Sequence, residues 1–258
     1  MIQRILFFLF GITSLLLMAG CSSHHGVGAF DPKDHAAITQ SLDDDDAYLD
    51  EAYATQLLPD PLESWNRAMF VFNDGLITYL VRPVSKAYVT VTPEALRSGF
   101  GNFFTNLLFP VRFVNNLLQG KGYAAGQEFG KFIINTTAGL GGFIDYTGLN
   151  HPELADLDSE DFGQTLSVWG VGEGLYIYWP FLGPSNARDT VGSVGDWAAD
   201  PLTWLNPWWV PLTLKGVRTV NELEGILDLY EDMTSSAIEP YTAVRDAFTQ
   251  YRRSKIAK

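Results

Sequence analysis

The sequence predicts an all-α fold: a single helical domain with a loop-rich middle. Apolar residues recur at helical spacing in several separate stretches, as in the series Trp65, Met69, Phe72, Leu76 and Tyr79. Proline and glycine punctuate those stretches where helices start and stop, at Pro61, Pro83, Pro93, Pro110, Gly120 and Gly139. No convincing run of alternating apolar and polar residues marks a strand, and no internal repeat is present.

The N-terminus has a different character. Arg4 precedes an almost unbroken apolar run from Ile5 to Leu17, and Met18-Ala19-Gly20 leads into Cys21. A charged start, an apolar core and small residues before a cut form the layout of a secretory signal over residues 1–20. The run is short for a membrane span, which takes roughly 20 apolar residues. Small residues followed by cysteine resemble the lipobox of bacterial lipoproteins, which implies a diacylglycerol thioether on Cys21, then cleavage and N-acylation. Cys21 is the one cysteine of the 258 residues, so no intramolecular disulfide framework and no cysteine-rich zinc site is available. By the same resemblance, Ser22 in place of the aspartate of inner-membrane retention directs the protein to the periplasmic face of the outer membrane.

Residues 21–58 read as a lipidated, flexible tether. They are polar and aperiodic, with an acidic block at Asp43, Asp44, Asp45, Asp46, Asp50 and Glu51. The block lacks the glycine and the spaced ligands of a calcium loop, so it is taken as solvated charge.

The folded part, residues 59–258, starts at Asp60-Pro61-Leu62-Glu63, where Asp60 suits a helix cap, Pro61 the first helical position and Glu63 a capping box. Pro83 is expected to end or bend that helix. Thr92-Pro93 starts the next, with Leu96, Phe100, Phe103 and Leu107 on one side. Pro110 divides it from a segment ending at Gly120, and a further helix is expected from about Tyr123 to Thr137, closed by Gly139. Residues 140–209 are irregular and rich in glycine, proline and aromatics. Two more helices follow, marked by Val217, Val220, Leu223, Leu227 and Tyr230, then by Tyr241, Val244, Phe248 and Tyr251.

Composition narrows the function. The net charge is −13, falling to −14 once Met1–Gly20, with one arginine and no acid, is removed. Such acidity argues against nucleic acid as a partner and against adhesion to anionic headgroups by charge alone. Yet 47% of residues are apolar, and three folded stretches carry no charge at all: Ser98–Val111, Phe132–Ile144 and Pro201–Leu214. Each is too short and too interrupted to span a bilayer. Trp204, Trp208 and Trp209 make an aromatic cluster of the kind favoured where lipid meets water, so they are candidates for a membrane interface. A lipid-anchored protein with such segments can lie in one leaflet with apolar surfaces turned into it.

Catalytic groups are hard to assemble. His24, His25 and His35 fall in the tether, leaving His151 alone in the folded part. Gly183-Pro184-Ser185-Asn186-Ala187 resembles a nucleophile elbow, but Ala187 replaces the second glycine and no histidine follows His151. Ser185 reads more simply as a helix cap. Gly170, Gly172 and Gly174 miss both common nucleotide-loop spacings and read as turn glycines. Glu160 and Asp161 read as first-turn helix acids. Neither an enzyme nor a metal or cofactor site is expected, beyond the covalent lipid on Cys21.

Five strings carry a more specific likeness: DPLESWNR (60–67), PVRFVNNLLQGK (110–121), NTTAGLGGFID (135–145), EDFGQTLSVWGVGEG (160–174) and PFLGPSNARDTVG (180–192). In order, and spanning about residues 58–251, they resemble the MlaA/VacJ lipoprotein family. The departure is small: Gly174-Leu175-Tyr176 stands where the family usually has Gly-Pro-Tyr. The resemblance implies a helical ring around a pore in the inner leaflet of the outer membrane. Such a ring removes phospholipid that has strayed into the outer leaflet and passes it to a soluble periplasmic carrier serving an ATP-driven importer. It also implies association with trimeric porins. Within that frame Gly139, Gly141, Gly142, Phe143 and Ile144 are candidates for a flexible element beside the lipid passage. The alternative is a structural lipoprotein that bridges porin and periplasm without moving lipid.

Overall fold

The computed structural model describes Leu58, residues 60–155 and residues 157–257. Cys21, the expected signal segment and all of the expected tether except Leu58 lie outside the described residues.

Helix α1 (Glu63–Leu76) begins just after Pro61, but its cap differs from the expectation. Leu62 holds the cap position and makes no side-chain bond there. The Asp60 carboxylate instead accepts Asn66 Nδ2 at 2.7 Å and the Tyr241 hydroxyl, with Arg245 3.7 Å away. Asp60 therefore fastens the start of α1 to the end of the chain. At Pro83 the helix neither stops nor breaks. A π-helical turn (Ile77–Val81) runs straight into α2 (Arg82–Val91), which holds Pro83 in its first turn. The proline is accommodated by the π-helical turn before it: the Arg82 N–H bonds to the Ile77 carbonyl, five residues back, and the wider turn stands where the prolyl ring would meet an α-helical carbonyl.

Pro93 and Pro110 act as the sequence predicts. Pro93 precedes α3 (Glu94–Leu107), and Pro110 lies in the first turn of α4 (Phe109–Leu118). Gly120, at φ 76°, turns the chain into α5 (Gly122–Thr137). Helices α4 and α5 pack as a pair in which Phe109 stacks on Phe132 with 4.5 Å between centroids. Between the same helices Arg112 Nε donates to Glu128 at 3.0 Å, with both side chains buried. Short helices α6 (Tyr146–Asn150), α7 (Pro152–Ala155) and α8 (Phe162–Val168) follow.

The irregular middle contains one hairpin that alternation in the sequence did not reveal. Strands β1 (Tyr176–Trp179) and β2 (Gly183–Asn186) pair antiparallel, with Tyr176 opposite Asn186 and Trp179 opposite Gly183. Two asparagines of α1 bond along the β1 backbone. Asn66 donates from Nδ2 to the Tyr176 carbonyl at 3.2 Å and accepts the Tyr178 N–H at 2.7 Å. Asn73, two helical turns on, does the same for the Trp179 carbonyl at 2.9 Å and the Phe181 N–H at 2.8 Å. Side-chain amides thus stand in for the peptide groups of a neighbouring strand. Tyr176 and Tyr178 enter a core cluster with Leu58, Tyr230, Tyr241 and Val244.

Helix α9 (Ala187–Ala199), a 3₁₀ turn (Pro201–Trp204), α10 (Trp209–Thr234) and α11 (Pro240–Ile256) complete the chain. The fold is all-α apart from the hairpin. Packing forms a closed circuit: α10 lies against α3, α3 against α4, α4 against α8, α8 against α11, and α11 against α10 again.

Candidate functional site

Burial in this protein is partly inverted. Asn66, Asn115, Asn116, Asn186, Thr147 and Thr165 are among its most deeply buried side chains, while many large apolar residues are exposed. The buried polar groups are bound to one another. Asn115 Nδ2 donates to Asp196 at 2.9 Å, and Thr165 Oγ1 donates to Asn115 Oδ1 at 2.8 Å, joining α4, α8 and α9. Lys121 reaches buried Glu160 at 2.8 Å, and Gln119 reaches the same carboxylate at 2.9 Å. Arg252 of α11 holds Asp161 through two bonds of 2.6 and 3.0 Å and Asp189 through a third of 2.7 Å. Glu160 and Asp161 are therefore not first-turn acids. Asp161 is the cap of α8, in a capping box with Gln164, and Glu160 precedes it.

The tryptophan segment is the clearest outward apolar feature. Trp204, Trp208 and Trp209 are 67%, 66% and 51% exposed, with Trp197 and Leu205 exposed nearby. Trp204 lies at the end of the 3₁₀ turn, Trp208 at the cap of α10 and Trp209 at its first residue. Leu202 points inward and is fully buried, pinning the turn, while Trp204 Nε1 donates to the Ala198 carbonyl at 3.0 Å. An indole tied by its N–H with its rings outward presents a broad apolar face at fixed orientation. Among the described residues no helix is long and apolar enough to cross a membrane.

The glycine-rich turn after α5 is held closely. Leu140, Gly141 and Gly142 have φ of 54°, 74° and 93°. Gly142 abuts Asn106, where an added Cβ would meet the side chain at 2.4 Å. Gly139 is packed against the Ile144 carbonyl, which a Cβ would meet at 2.2 Å. The Phe143 ring packs over Gly99 and edge-on to Phe100, with centroids 5.3 Å apart. Leu140 and Ile144 are exposed, so the turn presents two apolar side chains outward from an anchored base. Asp145 follows. Burial works to raise its carboxyl, but hydrogen bonds from the Gly148 N–H, Thr147 and Asn135 outweigh that and hold it below the usual carboxylate range.

Ser185 lies on β2, 3.0 Å from the Thr190 hydroxyl, and does not cap a helix. The cap of α9 is the next residue, Asn186, whose Oδ1 accepts the Asp189 N–H at 2.7 Å. His151 is exposed beside Glu153 at 3.3 Å. Gly170, at φ 88°, sits in the turn after α8, and Gly174, at φ 72°, in the irregular connection before β1. Among the described residues no group of three or more His, Cys, Asp or Glu is placed to hold a metal ion.

A family model described as MlaA lipoprotein matches residues 58–255. The chain belongs to the MlaA family. It is 38% identical over 195 residues to the intermembrane phospholipid transport system lipoprotein MlaA of Escherichia coli (strain K12), covering 74% of this chain and 76% of that protein. The lipoprotein of the same description from Haemophilus influenzae is 34% identical over 201 residues, covering 76% and 79%. A solved structure, reported on the structural basis for maintenance of bacterial outer membrane lipid asymmetry, superposes with a TM-score of 0.68 at 35% identity. It covers 77% of this chain and 99% of its own. The strings that resemble the MlaA family supply many of the polar junctions described above, among them Asn66, Asn115, Asn135, Asp161, Asn186 and Asp189.

Proposed function

We propose that the protein removes mislocalised phospholipids from the outer leaflet of the outer membrane and passes them to a soluble periplasmic carrier, keeping the two leaflets different. The observation that carries this reading is the inverted burial: polar and charged pairs inside, tryptophan and aliphatic side chains outside, and no described helix able to span. A body with that surface is suited to one leaflet, where apolar side chains meet acyl chains and paired polar groups stay away from them. A ring is the form we assign to such a body, and the closed circuit of helix contacts supports it. Lipid on Cys21 adds the anchor, with the folded part on the periplasmic face and a trimeric porin as neighbour. Moving an amphiphile downhill to a carrier requires a passage and no nucleophile, so the protein acts as a transport component and not as an enzyme. Gly139, Gly141, Gly142, Phe143 and Ile144 border that passage, and Trp204, Trp208 and Trp209 sit at the membrane interface.

The test is outer-leaflet phospholipid in cells lacking the protein, complemented with wild type or Cys21→Ala. Exposure should rise on deletion and fall only with the wild type. Unchanged exposure together with altered porin assembly would reassign the protein as a structural scaffold.

A further inference from the structure

Helix α10 carries a buried guanidinium that the fold leaves without a hydrogen bond. Arg218 is 7% exposed, and its Nε is buried with no acceptor among the described residues. The nearest carboxylates stop short: Asp200 lies 3.9 Å from Nη1 and Glu222 3.9 Å from Nε. Asp200 is already engaged, accepting the Leu202 N–H at 2.9 Å and facing Lys215 Nζ at 3.1 Å. Lys215 is itself occupied, donating to Thr203 Oγ1 at 2.9 Å. Among the other buried arginines, Arg112 donates to Glu128 and to the Thr105 carbonyl and Arg252 to two aspartates, whereas Arg188, paired through Nε with Asp189 at 3.0 Å, likewise keeps one buried nitrogen, Nη2, without an acceptor. A guanidinium whose Nε is taken from water without an acceptor is costly to the fold alone, and its planar fork is well shaped for an oxyanion.

The surroundings select the anion. Lys215 and Arg218 are one helical turn apart on one face of α10, which puts two cations near Asp200. The turn that supplies Asp200 and Thr203 ends at exposed Trp204, and α10 starts at exposed Trp209. At 1.5 Å per residue, Arg218 is about 13 Å along the axis from Trp209. A ligand with a phosphate at one end and apolar chains at the other meets both features, whereas free phosphate would use only the cation. We infer that Arg218 binds the phosphodiester of a glycerophospholipid headgroup, with the acyl chains lying toward Trp204 and Trp209. The inference rests on the lipid-transport reading and names the headgroup contact within it.

The test uses full-length, lipidated protein in detergent, titrated calorimetrically with dihexanoylphosphatidylglycerol below its micelle concentration. Dihexanoylglycerol and inorganic phosphate are run in parallel. Arg218→Leu should weaken phosphatidylglycerol binding roughly ten- to a hundredfold, as loss of charge-assisted hydrogen bonds predicts. Dihexanoylglycerol binding should not move and Tm should not fall, since the unpaired Nε costs the fold; a merely structural role would lower Tm. Equal phosphatidylglycerol binding by wild type and Arg218→Leu overturns the assignment. So does inorganic phosphate that binds as tightly as the lipid, since the site would then take the free anion. If Arg218→Leu does not fold, Arg218→Lys decides: it keeps the charge and loses the fork, so weaker binding at unchanged Tm supports the contact and unchanged binding overturns it. These outcomes stand apart from the cellular measurement. Failed binding leaves the rise in surface phospholipid intact, and an unaltered surface would leave in vitro binding as measured.

Discussion

Asparagine does in this protein what a strand does elsewhere. Asn66 satisfies one carbonyl and one N–H of β1, and its side chain is completely buried. Asn66→Leu would leave both backbone groups unpaired in a dry core, so it should cost about 2–4 kcal/mol. Denaturant unfolding followed by circular dichroism would read this, and a loss no larger than that of a surface substitution would show that water replaces the amide. A second residue sets a pH dependence. Burial, partly opposed by Arg218, raises the Glu222 carboxyl to about 7. The unfolded chain releases that proton near pH ~4.3 while the folded chain keeps it. Stability is therefore fully present below the unfolded value, falls as pH rises toward 7, and levels off above. Glu222→Gln should leave stability near pH 4 almost unchanged and add about 1–2 kcal/mol near pH 8, below full linkage because the side chain is 28% exposed. An equal gain at both pH values would place the effect elsewhere.

Among the elements, the glycine turn after α5 separates two kinds of constraint. Gly141 has positive φ but open space around it, whereas Gly142 has positive φ and abuts Asn106. Gly141→Val should cost the backbone strain alone, and Gly142→Val should cost that plus displacement of Asn106, which bonds Thr136 at 2.9 Å. Gly142→Val should therefore lower Tm further. If the turn borders the lipid passage, it should also raise surface phospholipid at matched protein levels. Normal lipid exposure in a stably folded Gly142→Val protein would remove the turn from the passage. The same elements mark what the sequence made legible. Helices bounded by Pro93, Pro110 and Gly120 were readable because proline and glycine act through local backbone geometry. The hairpin was not, since β2 reads GPSN and one edge of β1 is bonded by asparagines over 100 positions upstream. Asp60, Glu160 and Asp161 were read as ordinary helix-start acids because their partners Tyr241, Lys121 and Arg252 lie on other elements. Among the candidate site residues, the tryptophan segment was visible as an uncharged run. Arg218 was not, because an unpaired guanidinium can be recognised only once its neighbours are placed.

At the scale of the whole molecule, the acidic charge and the apolar surface have to be sorted into different places. The described structure does so by pairing charge inside, as in Arg112–Glu128 and Lys215–Asp200, and turning tryptophans out. An exposed aromatic surface in water is a liability for aggregation, and in a leaflet it becomes the contact that sets depth and tilt. Trp204, Trp208 and Trp209 belong to adjoining elements, the 3₁₀ turn and the start of α10, so they should enter or leave lipid together. In vesicles carrying brominated acyl chains, fluorescence from the lipidated protein should be quenched strongly. Replacing all three tryptophans by serine should remove their share of the quenchable signal, leaving emission from Trp65, Trp169, Trp197 and Trp179, the last of which donates to Thr190 at 3.0 Å beside the hairpin. The triple variant should also partition less tightly, because several hundred Å² of apolar surface is lost at about 25 cal/mol per Å². Equal quenching with bromine near the headgroup and at the chain end would oppose a fixed depth. An absence of quenching would turn the tryptophan face away from lipid and toward a protein neighbour, where a porin would be the first partner to test.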